Sequence, residues 1–206
     1  MPARESESWK TRSRKRPRPS NRVLTAFIPA APFCAAFLLG IPHMAKVYIY
    51  GMYGLGGRLF SAAMEDIVAA ELRRLGNVFV APTLGYREWQ SIADYINMQP
   101  RGSKSVVMGH SMGAAAATYV TDVTRVDLVV CYDNAGQRCS GIANNCGKLL
   151  DFQDTAWTFV PKFRPWAYPG HERKIFRTQV AFGHTRCPQS TELLGRVIKE
   201  VKFLIN

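Results

Sequence analysis

Three features of the 206-residue sequence predict an α/β domain of three layers, α/β/α, on a mostly parallel sheet. The first is alternation. From Lys46 onward, short runs rich in β-branched and aromatic residues alternate with longer stretches of helical apolar spacing. The second is connectivity, because strands separated by helices run parallel and are joined by crossovers. The third is composition: 47% hydrophobic and 20% charged residues can build a core, and five cysteines are too few for a disulfide-stapled mini-domain.

The first strand is predicted over residues 46–50, KVYIY, followed by a glycine-rich turn from Gly51 to Gly57. Residues 58–75 carry Leu59, Ala62, Ala63, Ile67, Ala70 and Leu75 at roughly helical spacing, and Gly76 is a fitting stop. A second strand is predicted over 77–81, NVFVA, and a helix from Tyr86 to Met98, which Pro100 and Gly102 end. Lys104 to Met108, KSVVM, is a third strand. It runs into Gly109-His110-Ser111-Met112-Gly113, and residues 112–121 are Ala-rich and helical. Val126 to Tyr132, VDLVVCY, barely alternates, the pattern of a strand buried on both faces. The stretch 134–152 reads as loop, 155–160 and 174–181 as strands, and Leu193 to Ile205 as a closing amphipathic helix. No repeat and no second folded domain is visible.

The formal net charge is +12, but residues 1–43 hold eight Lys/Arg against two acids, so half the excess lies outside the α/β region. No zinc-finger spacing, aromatic RNP-like strand or basic helical stripe follows Met44, so nucleic acid is not an expected partner. Residues 1–22 are basic, polar and Pro/Ser-containing and read as a disordered tail. Residues 23–42 are uncharged, mostly apolar and about long enough to cross a bilayer behind a basic flank. The segment 23–43 therefore has two readings. As a membrane anchor it holds the domain at an inner membrane, outside the cytoplasm. As an upstream extension it precedes a cytoplasmic protein that starts at Met44. In both readings residues 44–206 are the folded domain.

Gly109-His110-Ser111-Met112-Gly113 matches G-x-S-x-G. Five residues alone are a weak signal. Their context is stronger, because they directly follow an apolar strand and directly precede an Ala-rich helix. A tight turn there strains the serine backbone and projects its hydroxyl from the sheet, while flanking glycines remove side chains that would clash. The bland alternative is a Gly-rich turn with a surface serine. Phosphate-loop readings of Gly51–Gly57 fail. Gly57 stands where a Walker A motif needs Lys, and Arg58 where it needs Ser or Thr. Gly54-Leu55-Gly56 is followed three positions later by Leu59, not by a third glycine.

On GHSMG in this strand–turn–helix setting, the chain resembles the α/β-hydrolase superfamily, in particular its small lipase- and esterase-like members. The resemblance covers residues 46–206, starts at the equivalent of the family's third strand and shows no inserted cap domain. It implies a nucleophile at Ser111 and an oxyanion hole from the backbone N–H groups of Met112 and Met52, with Tyr53 as the alternative. It also implies the order serine, acid, histidine. Of His43, His110, His171 and His184, the last fits that order best, following the final strand; His171 is second. Asp133 ends the strand after the elbow, the acid position of some lipases in this superfamily, although an Asx turn before Asn134 and Gly136 would use an aspartate equally well. Glu172 and Asp154 are the alternative acids. The implied activity is hydrolysis of a carboxylic ester or thioester, small or lipid-like, through an acyl-enzyme on Ser111. A catalytically silent α/β-hydrolase fold used for binding is the alternative from another class.

No Cys/His spacing calls for a metal, and no cofactor is expected. Cys131 reads as packed in its strand. Cys139, Cys146 and Cys187 read as loop residues near the proposed rim, with a Cys139–Cys146 bridge expected only if the domain is exported. Trp157, Phe159, Phe163, Trp166 and Tyr168 read as core and loop anchors ahead of an acyl-pocket lining.

Overall fold

The computed structural model describes residues 46–156 and 161–206. The tail 1–22, the segment 23–43, His43, Trp157 and Phe159 lie outside the described residues, as does most of the strand expected over 155–160. Among the described residues no helix is long and apolar enough to cross a membrane.

The elements are, in chain order, β1 (Val47–Tyr53), α1 (Arg58–Ser61), a π-helical stretch (Met64–Ala69), α2 (Ala70–Leu72), β2 (Val78–Val80), β3 (Leu84–Gly85), α3 (Trp89–Asn97), β4 (Lys104–His110), α4 (Met112–Val123), β5 (Val126–Tyr132), β6 (Gly141–Ile142), β7 (Cys146–Asp154), β8 (Trp166–Ala167), β9 (Ile175–Val180) and α5 (Thr191–Ile205). The main sheet has seven strands in the order β2-β1-β4-β5-β7-β9, with β3 also on β1, and every pairing in it is parallel. One face packs Val47, Ile49, Val106, Met108, Leu128 and Val130 against the 58–72 helical run and α5. The other is covered by α3 and the Ala-rich α4, whose Ala114 carbonyl accepts from the Cys131 thiol at 3.4 Å. Three layers and a mostly parallel sheet are thus the observed architecture. β1 lies between β2 and β4, so the chain reverses its direction of growth there, and such switch points open a crevice at the carboxyl ends of the strands.

β1 and β4 both run further than the sequence predicts. Gly51 does not start a turn: it pairs with Met108, and Met52 with Gly109, so the ladder continues to the very edge. The predicted 58–75 helix is broken into three pieces, yet Met64, Val68 and Leu72 keep one buried stripe across the break.

The largest correction is β7, which replaces an expected loop. Its Leu150 and Phe152 join the main core, but the alternate positions are Asp151 and Gln153, both buried. Polar residues on a buried face hide the strand period. Among the described residues Asp151 has no hydrogen-bond partner on either carboxylate oxygen, and Arg177 Nε stands 3.7 Å away. Burial raises its pKa to about 6, against the pull of Arg177 and Arg164 and with a smaller push from Asp133. A carboxyl raised in the native state lowers stability above that pKa, and the deficit disappears as pH falls through it toward the unfolded value. Asp151→Asn is therefore expected to add about 1–3 kcal/mol in urea unfolding at pH 8. That gain should shrink steadily between pH 6 and pH 4.

The cysteine expectations also change. Cys131, Cys139, Cys146 and Cys187 are all buried free thiols. Cys146 is not near the rim, because it opens β7 and pairs with Val126 at the opposite edge of the sheet. Burial pushes the thiols of Cys139 and Cys146 up to about 12. Trp166 and Tyr168 pack against each other, ring centroids 4.8 Å apart, over Gly141, which anchors β6 to β8.

Candidate active site

Ser111 sits between the end of β4 and the start of α4 with φ 58° and ψ −128°. That left-handed backbone is costly for a residue with a side chain and survives where the surroundings over-determine it. Here the Ser111 N–H donates to the Tyr132 carbonyl at 3.0 Å, and its own carbonyl accepts from Ala114 at 2.9 Å. Glycine is needed on both sides of the turn. A Cβ on Gly113 would lie 2.5 Å from the Met52 carbonyl oxygen. A Cβ on Gly54 would lie 2.7 Å from Ser111 Cβ and 3.2 Å from its Oγ. The loop after β1 therefore lies directly against the serine. Gly54→Ala is expected to slow any reaction at Ser111 by about 100-fold by displacing it; stopped-flow phosphonylation, with a melting curve as control, measures this.

Asp133 follows β5 on the same edge, with φ 44°, a conformation aspartate tolerates better than most residues. It is fully buried, and its Oδ2 lies 2.6 Å from His184 Nδ1. A carboxylate oxygen accepts, so Nδ1 carries the proton and Nε2 is the unprotonated ring nitrogen. Asp133 Oδ1 also accepts the backbone N–H of Asp154 at 3.0 Å. His184 follows β9, and Asp154 Oδ1 accepts the N–H of Gly183 at 2.9 Å, which ties the histidine loop to the end of β7.

His110 has a place the sequence reading did not foresee. The face that holds Val106 and Met108 in the core also turns this imidazole inward, where it is fully buried. Alternation along β4 was the available signal. Its Nε2 lies 2.9 Å from the His184 carbonyl and its Nδ1 lies 2.8 Å from Ser61 Oγ. The carbonyl can only accept, so Nε2 carries the hydrogen and Nδ1 accepts from Ser61. Ser61 Oγ in turn accepts the N–H of Gly54 at 3.4 Å. One chain of hydrogen bonds thus joins the β1 loop, α1, the elbow and the histidine loop. Burial, reinforced by nearby His184, lowers His110 to about 4, against its bond to the His184 carbonyl and the charge of Asp133. The unfolded chain takes this proton between about pH 6.5 and 4 while the native chain refuses it. That costs the fold about 3 kcal/mol over this window, lost as pH falls.

Met112 directly follows the serine and opens α4, while Met52 and Tyr53, the last residues of β1, bring their carbonyls against Gly113 two residues further on. Met52 pairs with Gly109 on one side and Leu84 on the other, inside the ladder. Asp154, an alternative acid, ends β7 beside Asp133. Glu172, the other, stands in a 3₁₀ turn ahead of β9, at the opposite sheet edge from Ser111, and is not brought to the site. His171 is beside it. Among the described residues no group of acids, histidines and cysteines could hold a metal ion.

No protein-family model matches the chain, and no curated protein matches it in sequence. Solved structures do match. Acyl-protein thioesterase 2 of Zea mays is 16% identical with a TM-score of 0.53, over 81% of this chain and 97% of that one. An acetyl xylan esterase in an iodinated complex is 12% identical with a TM-score of 0.48, over 79% of this chain and 99% of that one. At such identity the first likeness is one of fold. The chain has the α/β-hydrolase fold, in which a parallel sheet between helices carries a strand–turn–helix serine.

Proposed function

We propose that the protein is a serine hydrolase of carboxylic esters or thioesters, working through an acyl-enzyme on Ser111. The observation that carries this reading is the positive-φ serine on the same sheet edge as a buried Asp133–His184 pair. In this reading His184 Nε2 takes the hydroxyl proton as Ser111 Oγ attacks the acyl carbon. Asp133 holds the tautomer and stabilises the imidazolium. The C–O or C–S bond breaks as His184 returns the proton to the leaving group, and water attacks the acyl-enzyme by the same route. Backbone N–H groups of Met112 and of Met52 or Tyr53 are the donors for the oxyanion, each worth about 3–4 kcal/mol. The maize neighbour, a thioesterase by name, fits this reaction class. Leu55, Leu59 and Phe182 are exposed in or next to loops beside the serine and the histidine, which favours an acyl or lipid-like substrate.

A panel of p-nitrophenyl esters and acyl thioesters of increasing chain length tests the reading. Turnover is expected, with KM falling as the chain lengthens onto that apolar rim. No turnover across the whole panel would count against it.

A further inference from the structure

The site holds a cation that a serine hydrolase mechanism does not call for. Lys162 Nζ lies 3.0 Å from Asp133 Oδ1 and 3.2 Å from Oδ2. It donates to the Asp154 carbonyl and lies 3.6 Å from Asp154 Oδ2. The lysine side chain is 17% exposed, and both carboxylates are buried. The segment carrying it is braced. Lys162 forms an antiparallel bridge with Ala135, the Gly136 N–H donates to the Pro161 carbonyl at 2.8 Å, and Arg177 donates to the Pro165 carbonyl at 2.7 Å. Two buried carboxylates joined through one ammonium would otherwise repel, and one of them would draw a proton.

We propose that Lys162 is a positioning residue for the Asp133–His184 pair: its ammonium balances the two buried carboxylates of Asp133 and Asp154 and holds Asp133 aimed at the imidazole. The catalytic meaning of this rests on the acyl-enzyme reading; the electrostatics does not. Asp133 from the end of β5 bonds the imidazole and the His110 ring from the end of β4 lies 4.6 Å from it, while Asp154 from the end of β7, Lys162 from the segment before β8 and Cys187 from the histidine loop are the titratable groups around that pair. Asp151 lies further back along β7. Burial lowers His110 and raises the Cys187 thiol, so both are neutral near pH 7. Two anions and one cation therefore set the balance beside the imidazole. Removing the cation would leave two carboxylates beside the imidazole with no balancing charge, an environment that favours the charged imidazolium.

The test uses the full chain and three variants. Lys162→Gln removes the charge but keeps a donor for the Asp154 carbonyl, Lys162→Arg keeps the charge, and Asp154→Asn removes one anion. Histidine resonances are titrated by NMR, and phosphonylation of Ser111 by a fluorophosphonate is followed against pH in the same samples. In Lys162→Gln the His184 midpoint is expected to rise by about one pH unit or more. The acid limb of phosphonylation should move with it. Lys162→Arg should return both toward wild type, and Asp154→Asn should lower the midpoint. An unchanged midpoint in Lys162→Gln overturns the proposal whatever the labelling shows. If that variant does not fold, a midpoint that fails to fall in Asp154→Asn overturns it instead. A shifted midpoint in a protein whose Ser111 never labels upholds the inference about Lys162 and refutes the hydrolase reading.

Discussion

Ser111→Ala is expected to cut ester turnover by about 10⁶-fold, the scale seen when the nucleophile of a serine hydrolase is removed. The fold should tolerate the change. The Ser111 side chain makes no capping bond to α4, and the contacts that hold the turn are made by its backbone. Residual turnover near the wild-type rate, in a protein with an unchanged melting curve, would mean that the strained serine is structural. The comparison needs both readouts, because a serine at positive φ sits between β4 and α4 and a misfolded variant would also be inactive.

Asp133→Asn is expected to lower kcat by about 10⁴-fold with KM little changed. The neighbours of Asp133 decide which way the new amide faces. The Asp154 N–H donates to Oδ1 and cannot give up its hydrogen, while Lys162 reaches both oxygens, so an asparagine is expected to keep its oxygen at Oδ1. Its NH₂ group then occupies the Oδ2 position, facing His184 Nδ1. Two donors cannot share that contact, so Nδ1 gives up its hydrogen and Nε2 takes it. The base would then face Ser111 already protonated. Steady-state kinetics together with the ¹⁵N shifts of His184 measure both consequences. A variant that keeps both its kcat and the Nδ1–H tautomer would remove Asp133 from the mechanism.

What the sequence made legible depended on whether a local pattern matched the burial. β5 emerged with its observed bounds because VDLVVCY is apolar on both faces and lies between helices on both sides. The elbow was legible because its glycines and its setting are local. β7 was not, since Asp151 and Gln153 are polar on a buried face and the strand opens with Cys146 and Gly147. That one omission misplaced Glu172. With β7 ending at Asp154, the chain must cross back to the other sheet edge before β9 starts, which carries Glu172 away from Ser111. Asp133 and His184, 51 residues apart, were reached only through the family resemblance and the places it assigns after strands. Lys162 was not legible at all. Its partners lie 29 and 8 residues away, across a connection with no regular period. The bond from His110 to the His184 carbonyl is a tertiary contact of the same kind.

An activated nucleophile at Ser111 would react with a phosphorus electrophile ahead of every other hydroxyl in the chain. Intact full-length protein is treated with a fluorophosphonate at pH 8, and the adduct is located by peptide mass mapping. Stoichiometric labelling confined to Ser111, and its loss in Ser111→Ala, is the expected result. A correctly folded protein that takes up no label, or takes it up on another residue, would contradict it.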